Sequence, residues 1–232
     1  MMQRLWFTAL YIASRLPCYS QFLPDLQAKT PAEYDAYLQV LDGPVLGSGE
    51  TFERHFPASS LRLPVCELMA REWRAQGRRE QAIAAAERGL AIAPDYIPLL
   101  VEVADLLANG SEKLDRAADA ARHALELLDR VKAPLRIAPE DWTAAVAKLR
   151  ARANTAFGMV QFKRDDLKGA LKTFQAALAA GAVDDPVLHY RLGRLYAIKG
   201  QTTEARRELE QAAISPDKVL RDLAKNALAE LK

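Results

Sequence analysis

The chain is poor in the residues that most often carry chemistry. Its 232 residues include 2 cysteines, Cys18 and Cys66, and 3 histidines, His55, His123 and His189. Two cysteines exclude a disulfide-dense scaffold and a cysteine-rich zinc module. No histidine has a His or Cys neighbour at metal-ligand spacing, so each is read as a surface or helix-packing residue, and neither a metal nor another cofactor is expected. Aromatic residues make up only 7%. No apolar run reaches the ~18 residues of an ordinary transmembrane helix. A net charge of +2 is too small to imply nucleic-acid binding on charge alone. Neither Gly-x-Ser-x-Gly nor His-Glu-x-x-His occurs. Gly47-Ser48-Gly49-Glu50-Thr51 lacks the Lys-Ser/Thr pair of a phosphate loop and is read as a flexible turn. The carboxylate pairs Asp165-Asp166 and Asp184-Asp185 fall between helical segments, where capping accounts for them. Cys66 falls on a helix and is read as a buried, inert thiol. No enzyme is expected.

What is present is helix. The 50% hydrophobic and 27% charged residues suit a folded chain, and Ala, Leu, Arg and Glu dominate, all strong helix formers. Self-similarity organises them. Ala82, Ala117, Ala170 and Ala205 each precede a second small residue by seven positions: Gly89, Ala124, Ala177 and Ala212. The leading alanines are 35, 53 and 35 residues apart, so two intervals lie near 34 and the third carries an insertion of 19. Twelve or thirteen residues upstream of each stands another small residue, Ala70, Ala104, Gly158 or Gly193, preceded by Met69, Val103, Phe157 or Leu192. Three residues after these come Trp73, Leu107, Gln161 and Tyr196. Gly77 and Gly200 mark turns, and Pro94 and Pro216 close the first and last units.

This pattern resembles the tetratricopeptide repeat. The fourth unit carries it best, with Leu192-Gly193-x-x-Tyr196, Ala205, Leu209, Ala212 and Pro216. The third departs at Gln161, where an aromatic residue is expected. The second has no closing proline, and Asn109-Gly110-Ser111 lengthens its turn. The resemblance implies an all-α superhelical array of antiparallel helix pairs: about four full repeats, one degenerate N-terminal repeat and a C-terminal capping helix. Each pair cannot bury its apolar face alone, so pairs must stack. Small residues at the helix crossing, Gly193 against Ala205 or Ala212 for instance, would let the backbones approach.

The flanks complete the division. Residues 1–20 are read as an export signal: Arg4, then the apolar run Leu5–Ala13, then Pro17–Ser20 with cleavage after Ser20. Residues 21–62 hold the degenerate repeat. Thr30-Pro31-x-Glu33 starts its first helix, and Glu50–Phe56 forms a short second one ending at Pro57. Phe52, His55-Phe56-Pro57 and Ser59-Ser60 resemble the loose repeats of bacterial envelope proteins. Repeats 1 and 2 occupy 63–130. Residues 131–150 are an insertion with rigid Pro134 and Pro139, an exposed Trp142, and the start of a long helix. Repeats 3 and 4 occupy 151–216, and 217–232 is the capping helix, with an apolar stripe at Val219, Leu220, Leu223, Ala224, Ala227, Leu228 and Leu231.

A non-enzymatic scaffold for a protein or peptide follows from the resemblance, acting outside the cytoplasm in the periplasm or as a secreted protein; a cytoplasmic location is the alternative. An RNA-binding helical-repeat protein is the competing class, since a period near 35 suits that architecture too. An enzyme using Asp141 or His123 in or near the insertion is the third. In tetratricopeptide arrays partners lie along the first helix of each repeat. The matching positions are Glu67, Arg71 and Arg74, then Val101 and Asp105, then Thr155, Met159, Phe162 and Lys163, then Tyr190, Arg194 and Ile198. Of these, Arg71, Arg74, Phe162, Lys163, Tyr190 and Arg194 are expected to contribute most to partner binding, because Arg and aromatic side chains dominate interface energetics. Glu67 and Arg71 stand where carboxylate-clamping members of the family carry Lys and Asn, so that role is not implied.

Overall fold

The computed structural model describes residues 26–110, 113–133 and 137–231. The apolar run at 5–13 and the cleavage point after Ser20 lie outside them, as do Ser111 and Pro134. Every regular element among the described residues is an α-helix: α1 Pro31–Asp42, α2 Val45–His55, α3 Arg62–Ala75, α4 Arg79–Ile92, α5 Ile97–Asn109, α6 Leu114–Arg130, α7 Pro139–Lys163, α8 Leu167–Ala179, α9 Pro186–Ile198, α10 Thr202–Ala213 and α11 Lys218–Ala229. Consecutive helices pack in pairs, α3 with α4, α5 with α6, α7 with α8 and α9 with α10, and α11 covers α10. None is long and apolar enough to cross a membrane.

The turns inside the α3–α4, α7–α8 and α9–α10 pairs have a common construction, which the α5–α6 turn, with Gly110 at φ −81°, does not share. Gly77 and Gly200 take φ of +72°, and Asp165 takes +62° at the same place in its unit. The next residue then donates its N–H back across the turn: Arg78 to the carbonyl of Trp73 (2.8 Å), Asp166 to Gln161 (2.9 Å) and Gln201 to Tyr196 (2.9 Å). This left-handed cap satisfies helix carbonyls that would otherwise lack partners. Gln161, the departure from the aromatic pattern, has polar work instead. Its amide nitrogen donates to Asp166 (3.2 Å) and its oxygen accepts from Thr173 (2.6 Å).

The N-terminal pair starts as its sequence directs. Thr30 Oγ1 accepts from Glu33 N at 3.1 Å, with Pro31 at the first helical position. The Glu33 carboxylate reaches back to Lys29 N (2.6 Å) and also accepts from the Ser59 hydroxyl, which ties α1 to the start of α3. The expected turn at Gly47-Ser48-Gly49 is not there: all three residues lie inside α2. Gly49 is buried, and a Cβ on it would stand 2.7 Å from Met69 Sδ. Gly49 therefore allows helix approach rather than chain reversal.

The insertion also differs from expectation. Trp142, Ala145, Leu149, Ala153, Ala156 and Val160 recur at helical spacing and are all buried, so most of the extra sequence extends α7 N-terminally to 25 residues. Trp142 is 8% exposed, not a free surface aromatic. The extension is held because α7 packs against both α5 and α6. Two apolar cores result. The larger runs from Tyr37 to Val160, the smaller from Ala170 to Ala205, and Met159 packs on both. The stripe on α11 is split: Ala224 and Ala227 are buried, whereas Val219 and Leu223 face solvent.

Candidate functional site

An open pocket of about 470 Å³ lies between α3, α5 and α7. Its walls are Glu67, Arg71 and Arg74 from α3 and Lys148 and Arg152 from α7; Pro98, Leu99 and Glu102 of α5 form its floor. Glu67, Arg71 and Arg74 are spaced by four and three residues, which places them on one helix face. Lys148 and Arg152 share a face of α7 for the same reason, and Lys148 belongs to the helical extension.

Ion pairs knit the three helices across the floor. Glu102 is buried and accepts from Arg74 (3.1 Å) and Arg152 (2.7 Å). Asp105, one turn further on α5, takes the same two guanidinium groups at 2.9 and 3.4 Å. Both carboxylates are therefore neutralised within the groove. Among the described residues, Arg71 and Lys148 are in no ion pair.

Glu67 sits deeper. Tyr96 donates its hydroxyl to Glu67 Oε2 at 2.5 Å, while Oε1 is buried with no hydrogen-bond partner. Burial pushes this carboxyl above the usual carboxylate range; the Tyr96 bond and the Arg71 charge oppose the shift without cancelling it. The Tyr37 hydroxyl, its phenol raised by burial and by the Glu67 charge, is likewise buried without a hydrogen-bond partner.

The family model described as "Tetratricopeptide repeat" matches residues 187–213, the α9–α10 unit. The crystal structure of TTC0263, a thermophilic TPR protein of Thermus thermophilus, superposes with a TM-score of 0.51 at 20% identity, covering 79% of this chain and 89% of that one. The chain folds as a tetratricopeptide-like array of helix pairs. A crystal structure of MamA gives a TM-score of 0.46 at 19% identity over 69% of this chain and 91% of that one. No curated protein matches in sequence.

On this helical array the six expected contact residues do not form one patch. Arg71 and Arg74 share the α3–α5–α7 pocket. Phe162 is half-buried against the smaller core. The Lys163 ammonium donates to the carbonyl of Gly110. Tyr190 is half-buried on α9. Arg194 lines a separate shallow cleft with Ile198, Ala227 and Leu231, between α9 and α11. Val101, expected on the groove, is fully buried, and its neighbour Glu102 faces the groove in its place. Gly193 opposes Leu209 rather than Ala205 or Ala212.

Sequence reasoning passes over Glu102, Lys148 and Arg152. The signal is present as Glu102 and Asp105 three residues apart and Lys148 and Arg152 four apart, each pair able to share a helix face. Elsewhere, His189 bonds Glu208 (2.6 Å) and the Val183 carbonyl (2.9 Å) through its two ring nitrogens. His123 pairs with Asp95 at 2.7 Å, and Asp141 lies exposed in the first turn of α7. Among the described residues no group of His, Cys, Asp and Glu is arranged to hold a metal ion. Cys66 is buried and its thiol is pushed up to about 12 by burial and by the neighbouring Glu53 carboxylate.

Proposed function

We propose that this array is a non-catalytic scaffold whose concave groove between α3, α5 and α7 takes an acidic segment of a partner protein. A tetratricopeptide array is in general a protein-interaction scaffold, and the charge balance of the pocket supports the finer reading. Glu102 and Asp105 are already occupied by Arg74 and Arg152, which leaves Arg71 and Lys148 outside any ion pair on opposite walls, with the buried Glu67 carboxyl, pushed toward its neutral form, as the remaining acid beside Arg71. In this reading Arg71 and Lys148 meet the partner's carboxylates. Arg74 contributes by fixing Glu102 and Asp105. Lys163, Tyr190 and Arg194 extend the contact along the array, and Phe162, in the last turn of α7, anchors that helix on the smaller core.

The test is a fluorescence-anisotropy titration of the full chain with three labelled probes of equal length: an Asp/Glu-rich peptide, a Lys-rich peptide and a single-stranded RNA. The acidic peptide should bind, more weakly as salt rises. Binding of RNA alone would replace this reading with a nucleic-acid one. The extracytoplasmic location is proposed on the sequence of residues 1–20.

A further inference from the structure

Three cations from three different repeats converge on the last turn of α5. Arg79, opening α4, donates from Nε to the carbonyl of Leu106 at 2.9 Å. Lys163, closing α7, donates to the carbonyl of Gly110. Arg191, from α9, donates from Nη2 to the side-chain oxygen of Asn109 at 2.8 Å. Leu106, Asn109 and Gly110 are three and four residues apart, so they lie on one side of the helix end. A Cβ on Gly110 would collide with the Arg79 guanidinium.

Among the described residues no carboxylate lies within ion-pair distance of this cluster, and Asp105 and Asp185 act on Arg191 only at longer range. None of the three cations is in an ion pair among the described residues. Asp105 is paired with Arg74 and Arg152, and Asp185 caps α9 through the backbone N–H groups of Val187 and Leu188; both carboxylates oppose the lowering of Arg191 without cancelling it. Burial and the charges of Arg79 and Arg191 hold the Lys163 ammonium below the usual lysine value, and burial lowers Arg191 in the same direction. The helix C-terminus offers roughly half a negative charge, too little for three full positive ones. Among the described residues each cation makes one hydrogen bond, to the end of α5 or its C-cap Gly110.

We propose that Arg79, Lys163 and Arg191 form a site for a phosphate dianion, free or carried as a phosphate monoester. A carboxylate presents two oxygens in one plane. A phosphate presents three acceptor oxygens in a tetrahedral arrangement, which suits donors arriving from α4, α7 and α9. Binding would also relieve the mutual repulsion of the three cations. This site shares Lys163 with the proposed partner contact but not Arg71 or Lys148, and does not depend on the acidic-segment reading.

The full chain should be melted in inorganic phosphate, in O-phosphoserine and in sodium chloride, all at matched ionic strength. Phosphate should raise the midpoint above the chloride value by roughly 2–4 °C at saturation. That increment should vanish in Lys163→Gln and Arg191→Gln, survive in Lys163→Arg, and be untouched in Arg71→Gln/Lys148→Gln. Response to both phosphate species supports a general phosphate site; response to O-phosphoserine alone supports a monoester site. Equal midpoints in phosphate species and chloride for the unmodified chain would overturn the proposal, whatever the variants do. So would an increment retained in folded Lys163→Gln/Arg191→Gln.

Discussion

Gly193 lies against Leu209: a Cβ at position 193 would stand 2.6 Å from Leu209 Cγ and 3.1 Å from its backbone nitrogen. The same relationship recurs one unit earlier, where a Cβ on Gly158 would stand 2.6 Å from a ring carbon of Phe174. In the first two units the corresponding positions are Ala70 with Ala86 and Ala104 with Ala121, all buried. The crossing thus takes two forms: two alanines in the first units, and in the later ones a glycine whose missing Cβ leaves room for a large partner, as a close-packed interior requires.

Gly193→Leu is accordingly expected to destabilise the chain by about 1–3 kcal/mol or more through overpacking. Gly193→Ala should cost less. Combining it with Leu209→Ala recreates the pairing of the first repeats, so a double-mutant cycle by denaturant unfolding should show the two changes partly compensating. Strict additivity would show that the two residues do not share the crossing.

The intra-repeat turns give a second test. Gly200 has φ +72°, a conformation that costs an alanine about 1–2 kcal/mol, so Gly200→Ala should lower the unfolding free energy by that order. Asp165 occupies the same conformation with a side chain. Asp165→Gly should be neutral or stabilising, and the opposite signs of the two substitutions are what unfolding curves should read.

Glu67 predicts a pH dependence. Its folded-state pKa is raised, mainly by burial, so between the ordinary carboxylate value and the raised one the folded chain binds more protons than the unfolded chain. Stability from this group is therefore greatest below the ordinary value and is lost as pH rises through the folded one. Glu67→Gln cannot ionise and should be more stable than the parent at neutral pH, with the difference shrinking as acid protonates Glu67. Melts of both proteins across pH check this; a constant difference would contradict it.

Export is checked by mass. Secreted or periplasmic material from the native host should begin at Gln21 if residues 1–20 act as a cleaved signal. A full-length mass in the cytoplasmic fraction would count against it.

The parts of the fold visible in the sequence are those governed by local spacing. Ala82, Ala117, Ala170 and Ala205 mark the second helices, and Gly77 and Gly200 mark turns whose φ only glycine adopts freely. The residues that spacing misplaces are those whose role depends on a distant partner. Gly49 reads as a turn because nothing nearby in sequence announces Met69. Trp142 reads as a surface residue because its burial follows from α7 lying on α5 and α6. The groove is legible by helix but not by face. Val101 and Glu102 are adjacent, and only the stacking of α3 and α7 on either side of α5 decides which of them meets Arg74 and Arg152.

The central claim is that the surplus charge of Arg71 and Lys148 recruits an acidic segment. It is tested most directly by the dissociation constant of an Asp/Glu-rich peptide for the unmodified chain and for Arg71→Glu/Lys148→Glu, with folding verified by circular dichroism. The account predicts at least about a tenfold loss of affinity, equivalent to about 1.4 kcal/mol, together with a flatter salt dependence. An unchanged dissociation constant in the folded double variant would contradict it.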